Sequence, residues 1–212
     1  MSSRNLDVQY RVLGSIATNV YFLINKDTKE GIVVDPADNA DYIAEQFRLR
    51  GYDLKAILLT HGHFDHFYGA SELKELTGAP IYAYKDEAQV LADTYYNRSA
   101  VWAEPRTLTP DYLFDDGEEC ELAGLKFRVI HTPGHTVGSC CFYFEDEGVL
   151  IAGDTLFFES YGRTDLGTGS SAAIMRSLRD ILFKLPPETV VYPGHGDFTS
   201  IEHELEYNPA AP

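Results

Sequence analysis

An α/β fold is what this sequence predicts, and three observations predict it. Short apolar runs alternate with segments that carry helix caps and glycine stops. Four of the apolar runs end in tight turns that each deliver metal-competent side chains, which is how α/β folds bring residues to a site at strand ends. The strand-like runs also fall into two groups, each followed by helices, a pattern that suits two sheets.

The elements follow in order. Strands are predicted at residues 8–13, 20–24 and 31–34, with Lys26-Asp27-Thr28-Lys29-Glu30-Gly31 as a hairpin turn. Asp38 or Asn39 can cap a helix that runs through Arg50 and stops at Gly51, with Ile43, Phe47 and Leu49 toward the core. A strand over residues 56–59 then runs into a histidine-rich segment, and a helix from about residue 67 to 76 is stopped by Gly78. A short strand at 80–83 precedes a helix over 86–96. Strands follow at 122–130, 139–144 and 149–151. Ser170 or Ser171 starts a helix to Lys184 that Pro186-Pro187 closes; a strand at 190–192 and an acidic helix ending at Asn208-Pro209 complete the chain. No repeat, low-complexity tract or linker interrupts this order. With 212 residues and 44% hydrophobic content, residues 1–212 can bury one core as a single domain.

Charge and composition narrow the function. Acidic residues outnumber basic ones 33 to 17, for a net charge of −16, and such a surface repels nucleic acid. No stretch approaches the roughly 20 apolar residues of a membrane span. The start, Met1-Ser2-Ser3-Arg4-Asn5-Leu6-Asp7, lacks the apolar core of a secretory signal. Cys120, Cys140 and Cys141 form no C-x-x-C pair, and the adjacent two point to opposite faces of a strand, so all three are expected reduced in a cytoplasmic protein.

The most informative segment is Thr60-His61-Gly62-His63-Phe64-Asp65-His66, directly after Ala56-Ile57-Leu58-Leu59. His61 and His63, two apart on extended chain, project to one side; Asp65 and His66 lie past the bend and can reach a second ion. Imidazole and carboxylate donors of this kind suit divalent zinc or iron. Three later turns each add one donor: His135 in Thr132-Pro133-Gly134-His135-Thr136, Asp154 in Gly153-Asp154-Thr155, and His195 in Pro193-Gly194-His195-Gly196. His61, His63, Asp65, His66, His135, Asp154 and His195 are the right inventory for two cations sharing one carboxylate. Asp35, before Pro36, is placed either to orient a ligand imidazole or to cap a turn. His131 reads as a partly buried histidine and His203 as a solvated one.

The motifs T-H-x-H-x-D-H, P-G-H-T-x-G-S, A-G-D-T-L-F and P-G-H-G, in this order, resemble those of the metallo-β-lactamase superfamily. Val33-Val34-Asp35-Pro36 and Gly162-Arg163-Thr164-Asp165 extend the resemblance over residues 12–208. Within the superfamily the chain looks like a small glyoxalase II (hydroxyacylglutathione hydrolase)-like enzyme without the carboxy-terminal helical domain. The resemblance implies a four-layer αβ/βα sandwich with the metals at one sheet edge. It also implies that His61, His63 and His135 hold one metal, that Asp65, His66 and His195 hold another, and that Asp154 bridges them. Asp65 and Asp154 thereby become catalytic as well as ligating, and a metal-bridging hydroxide becomes the nucleophile. The implied cofactors are two divalent ions, zinc first, with iron and manganese suited to the same donors. The implied partner is a small-molecule thioester or ester.

The loop after Asp154 is less familiar. Where glyoxalase II tends to carry Lys and Tyr, the comparable positions are Arg163 and Asp165. Arg163 is a candidate to bind a substrate carboxylate, or to pair with Asp165; Phe157 and Tyr161 are candidates for an apolar pocket wall. Persulfide dioxygenases, with one iron, share the Gly-Arg-Thr-Asp loop but usually read Pro-Ala-His-Asp-Tyr at the last motif. RNase Z-type nucleases add an exosite that has no counterpart here, and exported β-lactamases usually have Arg where His66 stands. A lactonase, or a metal-binding module without turnover, are the remaining alternatives. The oligomeric state is open, with Tyr95, Tyr96, Val101 and Trp102 suited to a dimer patch or to a core edge.

Overall fold

The computed structural model describes residues 5–212; the first four residues of the stretch read above for a secretory signal lie outside them. The amino-terminal half builds a six-stranded sheet from β1 (Leu6–Leu13), β2 (Thr18–Asn25), β3 (Glu30–Val34), β4 (Asp53–Leu58), β5 (Ile81–Tyr84) and β6 (Tyr112–Phe114), paired in that order. The first three strands are an antiparallel meander, and β3 to β6 run parallel. The second sheet contains β7 (Glu119–Leu122), β8 (Leu125–His131), β9 (Cys140–Phe144), β10 (Val149–Gly153), β13 (Val190–Pro193) and β14 (Thr199–Ser200), in the order β14-β13-β10-β9-β8-β7. A small hairpin, β11 (Leu156–Phe157) with β12 (Ser160–Tyr161), stands beside it.

The period of two along the strands makes the layers. On β2, Tyr21 and Leu23 face the other sheet while Val20, Phe22 and Ile24 face helices. On β9, Cys140, Phe142 and Phe144 turn inward and Cys141 and Tyr143 turn outward. Helices α1 (Ala40–Arg50) and α3 (Ala70–Thr77) cover the first sheet through Ile43, Phe47 and Leu73. The helix α6 (Ser171–Arg176) covers the second through Ile174, and its continuation through Leu178 and Leu182. The result is the four-layer αβ/βα sandwich, held by one core between the sheets and one under each helical layer.

Several predicted elements differ in detail. The helix expected over 86–96 is only a 3-10 turn (Lys85–Glu87) and the short α4 (Ala88–Leu91), because Asp93 accepts from the backbone N–H groups of Tyr95 and Tyr96 and turns the chain. A further turn of helix, α5 (Ser99–Trp102), and strand β6 were not predicted. The strand expected over 122–130 is a hairpin, since Ala123 and Gly124 both adopt positive φ and fold β7 back onto β8. The helix expected to Lys184 passes from α to π over Ser177–Ile181 and to 3-10 over Leu182–Lys184. Leu49 is 64% exposed rather than core-facing, because Ile43 and Phe47 already fill the stripe that α1 buries. Asn39 stands at the α1 N-cap in left-handed conformation, and no side chain caps that helix. The acidic helix is α7 (Ile201–Tyr207). Among the described residues, no helix is long and apolar enough to cross a membrane, and all three cysteines are free.

Candidate metal centre

Parallel pairing brings the donor turns together. Val34 of β3 pairs with Leu58 of β4, so Asp35 and Thr60 leave the sheet side by side. In the second sheet β10 and β13 run parallel, so Asp154 and His195 emerge at one end. Backbone bonds lock the two ends to each other: Cys140 N–H donates to Thr60 O at 2.9 Å and Asn19 N–H to Gly194 O at 2.7 Å. His61 and His63 flank Gly62 at the end of β4. The four-residue helix α2 (Phe64–Phe67) then carries Asp65 and His66 round the bend.

All seven predicted donors converge. His61, His63 and His135 form one group whose donor atoms lie within 4.8 Å of one another; Asp65, His66 and His195 form another, and His61, His66 and Asp154 a third. Asp154 sits between the first two, with Oδ2 at 3.5 Å from His135 Nε2 and 3.6 Å from His195 Nε2, and Oδ1 at 3.4 Å from His66 Nε2. His195 Nε2 is 3.3 Å from Asp65 Oδ2. Two donors held on zinc at tetrahedral angles stand about 3.4 Å apart, so these separations fit donors arranged round cations. Two atoms sharpen the fit: His61 Nε2 and Asp154 Oδ1 are buried without a hydrogen-bond partner. Orphaned buried polar atoms are costly, and a cation would satisfy both.

The outer nitrogens are held as ligand imidazoles require. His66 Nδ1–H donates to Asp35 Oδ2 at 2.9 Å, His135 Nδ1–H to Arg163 O at 2.8 Å, and His195 Nδ1–H to Ala17 O at 3.3 Å. The Thr60 hydroxyl donates to Asp35 Oδ2 at 2.6 Å and accepts from His61 Nδ1–H at 3.2 Å. Asp35 therefore orients two imidazoles at once, the first of the two roles the sequence offered it. His63 is the exception in orientation: its Nδ1 turns inward, 2.8 Å from His135 Nε2.

Electrostatics differ across the cluster. Burial, with the neighbouring imidazoles, pushes His61 and His63 well below the usual range, so both keep a free lone pair. Burial also opposes a proton on His66, but Asp154, Asp65 and Asp35 outweigh it and raise the ring to about 10.

Glycine makes the close approach possible. A Cβ at Gly194 would lie 2.1 Å from Asp154 Oδ1, and one at Gly153, where φ is +49°, would lie 2.4 Å from Thr60 Oγ1. Any larger residue at either position would push apart the turns that deliver the donors.

The centre floors a cavity of about 550 Å³, walled by Ile16, Trp102, Phe157, Tyr161, Arg163 and Leu166 among others. Arg163 lies at its edge and makes a two-pronged pair with Asp165, at 2.7 and 2.8 Å. His131 is partly buried as expected, stacked on Tyr84 at 4.2 Å. His203 is not freely solvated: its ring lies flat on Phe158 at 4.9 Å and its Nε2 is 3.1 Å from Glu159.

Two wall residues, Ile16 and Leu166, were not foreseen, and Trp102, offered for a dimer patch or a core edge, lines the same wall. Glu87 was also missed. It is 1% exposed, touches both ligand loops, and burial pushes its carboxyl up to about 7 against three donors that pull it down. Its signal was a carboxylate on the apolar face of a predicted helix, three and four residues before the buried Val90 and Leu91.

Comparison with known proteins agrees with this geometry. The sequence profile of the metallo-beta-lactamase superfamily matches residues 13–195. A probable metallo-hydrolase of Bacillus subtilis, YqgX, is 34% identical over 93% of this chain and 93% of its own. The hydroxyacylglutathione hydrolase GloC of Haemophilus influenzae is 32% identical over 88% of this chain and 90% of its own. Among solved structures, the BLEG-1 B3 metallo-beta-lactamase superposes with a TM-score of 0.91 at 35% identity, covering 96% of this chain and 98% of that one. TTHA1623 in a di-iron-bound form gives 0.84 at 32% identity, covering 95% and 99%. Fold, donor cluster and these likenesses lead to one conclusion: the chain belongs to the metallo-beta-lactamase superfamily and is a metal-dependent hydrolase, with adjoining groups of donors that could hold metal ions.

Proposed function

We propose that the protein hydrolyses a small thioester or ester in the manner of glyoxalase II. In this reading His61, His63 and His135 would hold one cation and Asp65, His66 and His195 the other, with Asp154 offering its carboxylate to both groups. The single observation that carries the ligand assignment is Asp154, poised between the two groups with a buried oxygen that makes no hydrogen bond. Zinc is the first candidate for both positions, and the di-iron form of TTHA1623 keeps iron as the alternative. Likeness to a hydroxyacylglutathione hydrolase supports the substrate class.

A bound pair of dications would supply an activated water and polarise the scissile carbonyl, worth several kcal/mol. The residues supply the rest. Asp35, Thr60 and the carbonyls of Ala17 and Arg163 fix the imidazoles, so little reorganisation accompanies reaction. Phe157 and Tyr161 offer an apolar wall to the acyl group. Arg163 can trade its exposed partner Asp165 for a substrate carboxylate. Unpaired cysteines and an acidic surface suit a cytoplasmic protein with a small-molecule partner rather than nucleic acid.

The test is metal analysis combined with a substrate panel. Purified protein should carry about two metals per chain and release thiol from S-lactoylglutathione. Oxygen consumption with glutathione persulfide and a single iron would replace this reading with the dioxygenase. Preference for a β-lactam, the substrate class that the BLEG-1 likeness puts on the panel, or for a lactone or phosphodiester, would also overturn it.

A further inference from the structure

Glu87 is a carboxylate that the ligand set does not use. It is 1% exposed and, among the described residues, has no ion-pair partner. A buried charge of this kind is costly unless its lone pairs are satisfied, and here they are satisfied from two loops. Oε1 accepts Gly62 N–H at 2.7 Å; Oε2 accepts Gly138 N–H at 2.8 Å and the Thr136 hydroxyl at 2.9 Å. Gly62 lies between His61 and His63, and Thr136 directly follows His135. The fit is close: a Cβ at Gly138 would stand 2.3 Å from Glu87 N and 2.5 Å from Oε2. Ser139 steadies the same turn, accepting Thr136 N–H at 3.0 Å on its hydroxyl oxygen, which lies 2.7 Å from Thr136 Oγ1.

None of these contacts reaches Asp65, His66 or His195. Those donors are held elsewhere: His66 by Asp35, His195 by Ala17, and Asp65 by His195 itself. We propose that Glu87 is the positioning residue of one half of the dinuclear centre, clamping the His61-Gly62-His63 loop to the His135 turn and so setting the affinity of one of two cations. The role rests on the ligand assignment above but not on the substrate.

The test is titration of cobalt(II) into chelator-stripped protein, followed by calorimetry and by the visible absorption of each site. Wild type, Glu87→Gln, Thr136→Val and Asp35→Asn are compared. Glu87→Gln keeps the shape but turns an amide N–H toward backbone N–H groups. Wild type should bind two ions. Glu87→Gln should then weaken one binding step roughly 10- to 100-fold, the range for losing the partner that orients a ligand, change that site's spectrum, and leave the other step within about twofold. Asp35→Asn, which frees His66 directly and His61 through Thr60, should weaken both steps. Thr136→Val, which removes one donor, should weaken the same step as Glu87→Gln by a smaller factor, and it carries the test if Glu87→Gln does not fold by circular dichroism. Equal loss at both sites in the variant that carries the test, or none at either, overturns the clamp while the ligand assignment stands. A wild type that takes fewer than two ions overturns the assignment, and the clamp with it.

Discussion

The floor of the cavity and its rim are built on opposite principles. On the floor His61, His63 and His66 are at most 5% exposed; the outer nitrogens of His66, His135 and His195 each meet an oxygen supplied by another part of the chain, and that of His61 meets the hydroxyl of the adjacent Thr60, itself bonded to Asp35. At the rim Trp102 is 49% exposed, and the side chains of Arg163 and Asp165 pair with each other, largely in solvent. A floor so fully tied allows one arrangement of donors, whereas a rim of loosely held side chains admits many ligands. Reaction type therefore resides in the floor and substrate choice in the rim, as is general for sites carried on a shared fold.

Substitutions should divide along the same line. Asp154→Asn strikes the floor at its centre and should lower kcat/KM by about a thousand-fold, or about 4 kcal/mol, with loss of bound metal in elemental analysis. Asp35→Asn leaves every donor in place but frees His66 and, through Thr60, His61; metal affinity should fall roughly 10- to 100-fold in competition with a chelator. An unchanged affinity would mean that the floor is no stiffer than the rim. Arg163→Ala should raise KM for an anionic thioester about two- to tenfold, in the range of a rim charge contact, with kcat nearly constant in steady-state assays. A collapse of kcat would move Arg163 to the floor.

The smallest effect concerns pH. Hydrogen bonding to Arg163 holds the Asp165 carboxyl down at about 2. A depressed pKa means that the pair is intact above the ordinary carboxylate range and is lost only as pH falls toward 2. The KM effect of Arg163→Ala should accordingly be equal at pH 5 and pH 9, measured in buffers of matched ionic strength. A difference between the two would give the rim a titrating group that this pair does not supply.

Much of the floor was legible because ligand chemistry concentrates unusual residues in short spans. Four donors within six residues, and three glycine turns each with one donor, named all seven side chains that converge, and Asp35 was visible as a carboxylate at a strand end beside them. The layers were less legible. Two groups of strands suggested two sheets, but only the resemblance supplied the sandwich, since the packing of one sheet on the other, Leu23 near Phe142 in one core, leaves no local trace. Glu87 escaped because a lone glutamate in a helical stretch looks like a solvated face until the fold buries it. The misread helix over 86–96 has a local cause, the Asp93 side chain competing for backbone N–H groups. His203 escaped for the opposite reason: Phe158, which covers its ring, lies 45 positions earlier in the chain.

The seam where Asn19 bonds to Gly194, and the Tyr21 hydroxyl to Pro193 O, has a consequence for assembly. A cation that arrives before the two halves have docked meets only the tetrad His61, His63, Asp65 and His66. Ions held as proposed would find their full donor set only after the halves dock, and would then tie residue 61 to residue 195. Without them, the edge should loosen first along this seam, while the core between the sheets keeps the halves together.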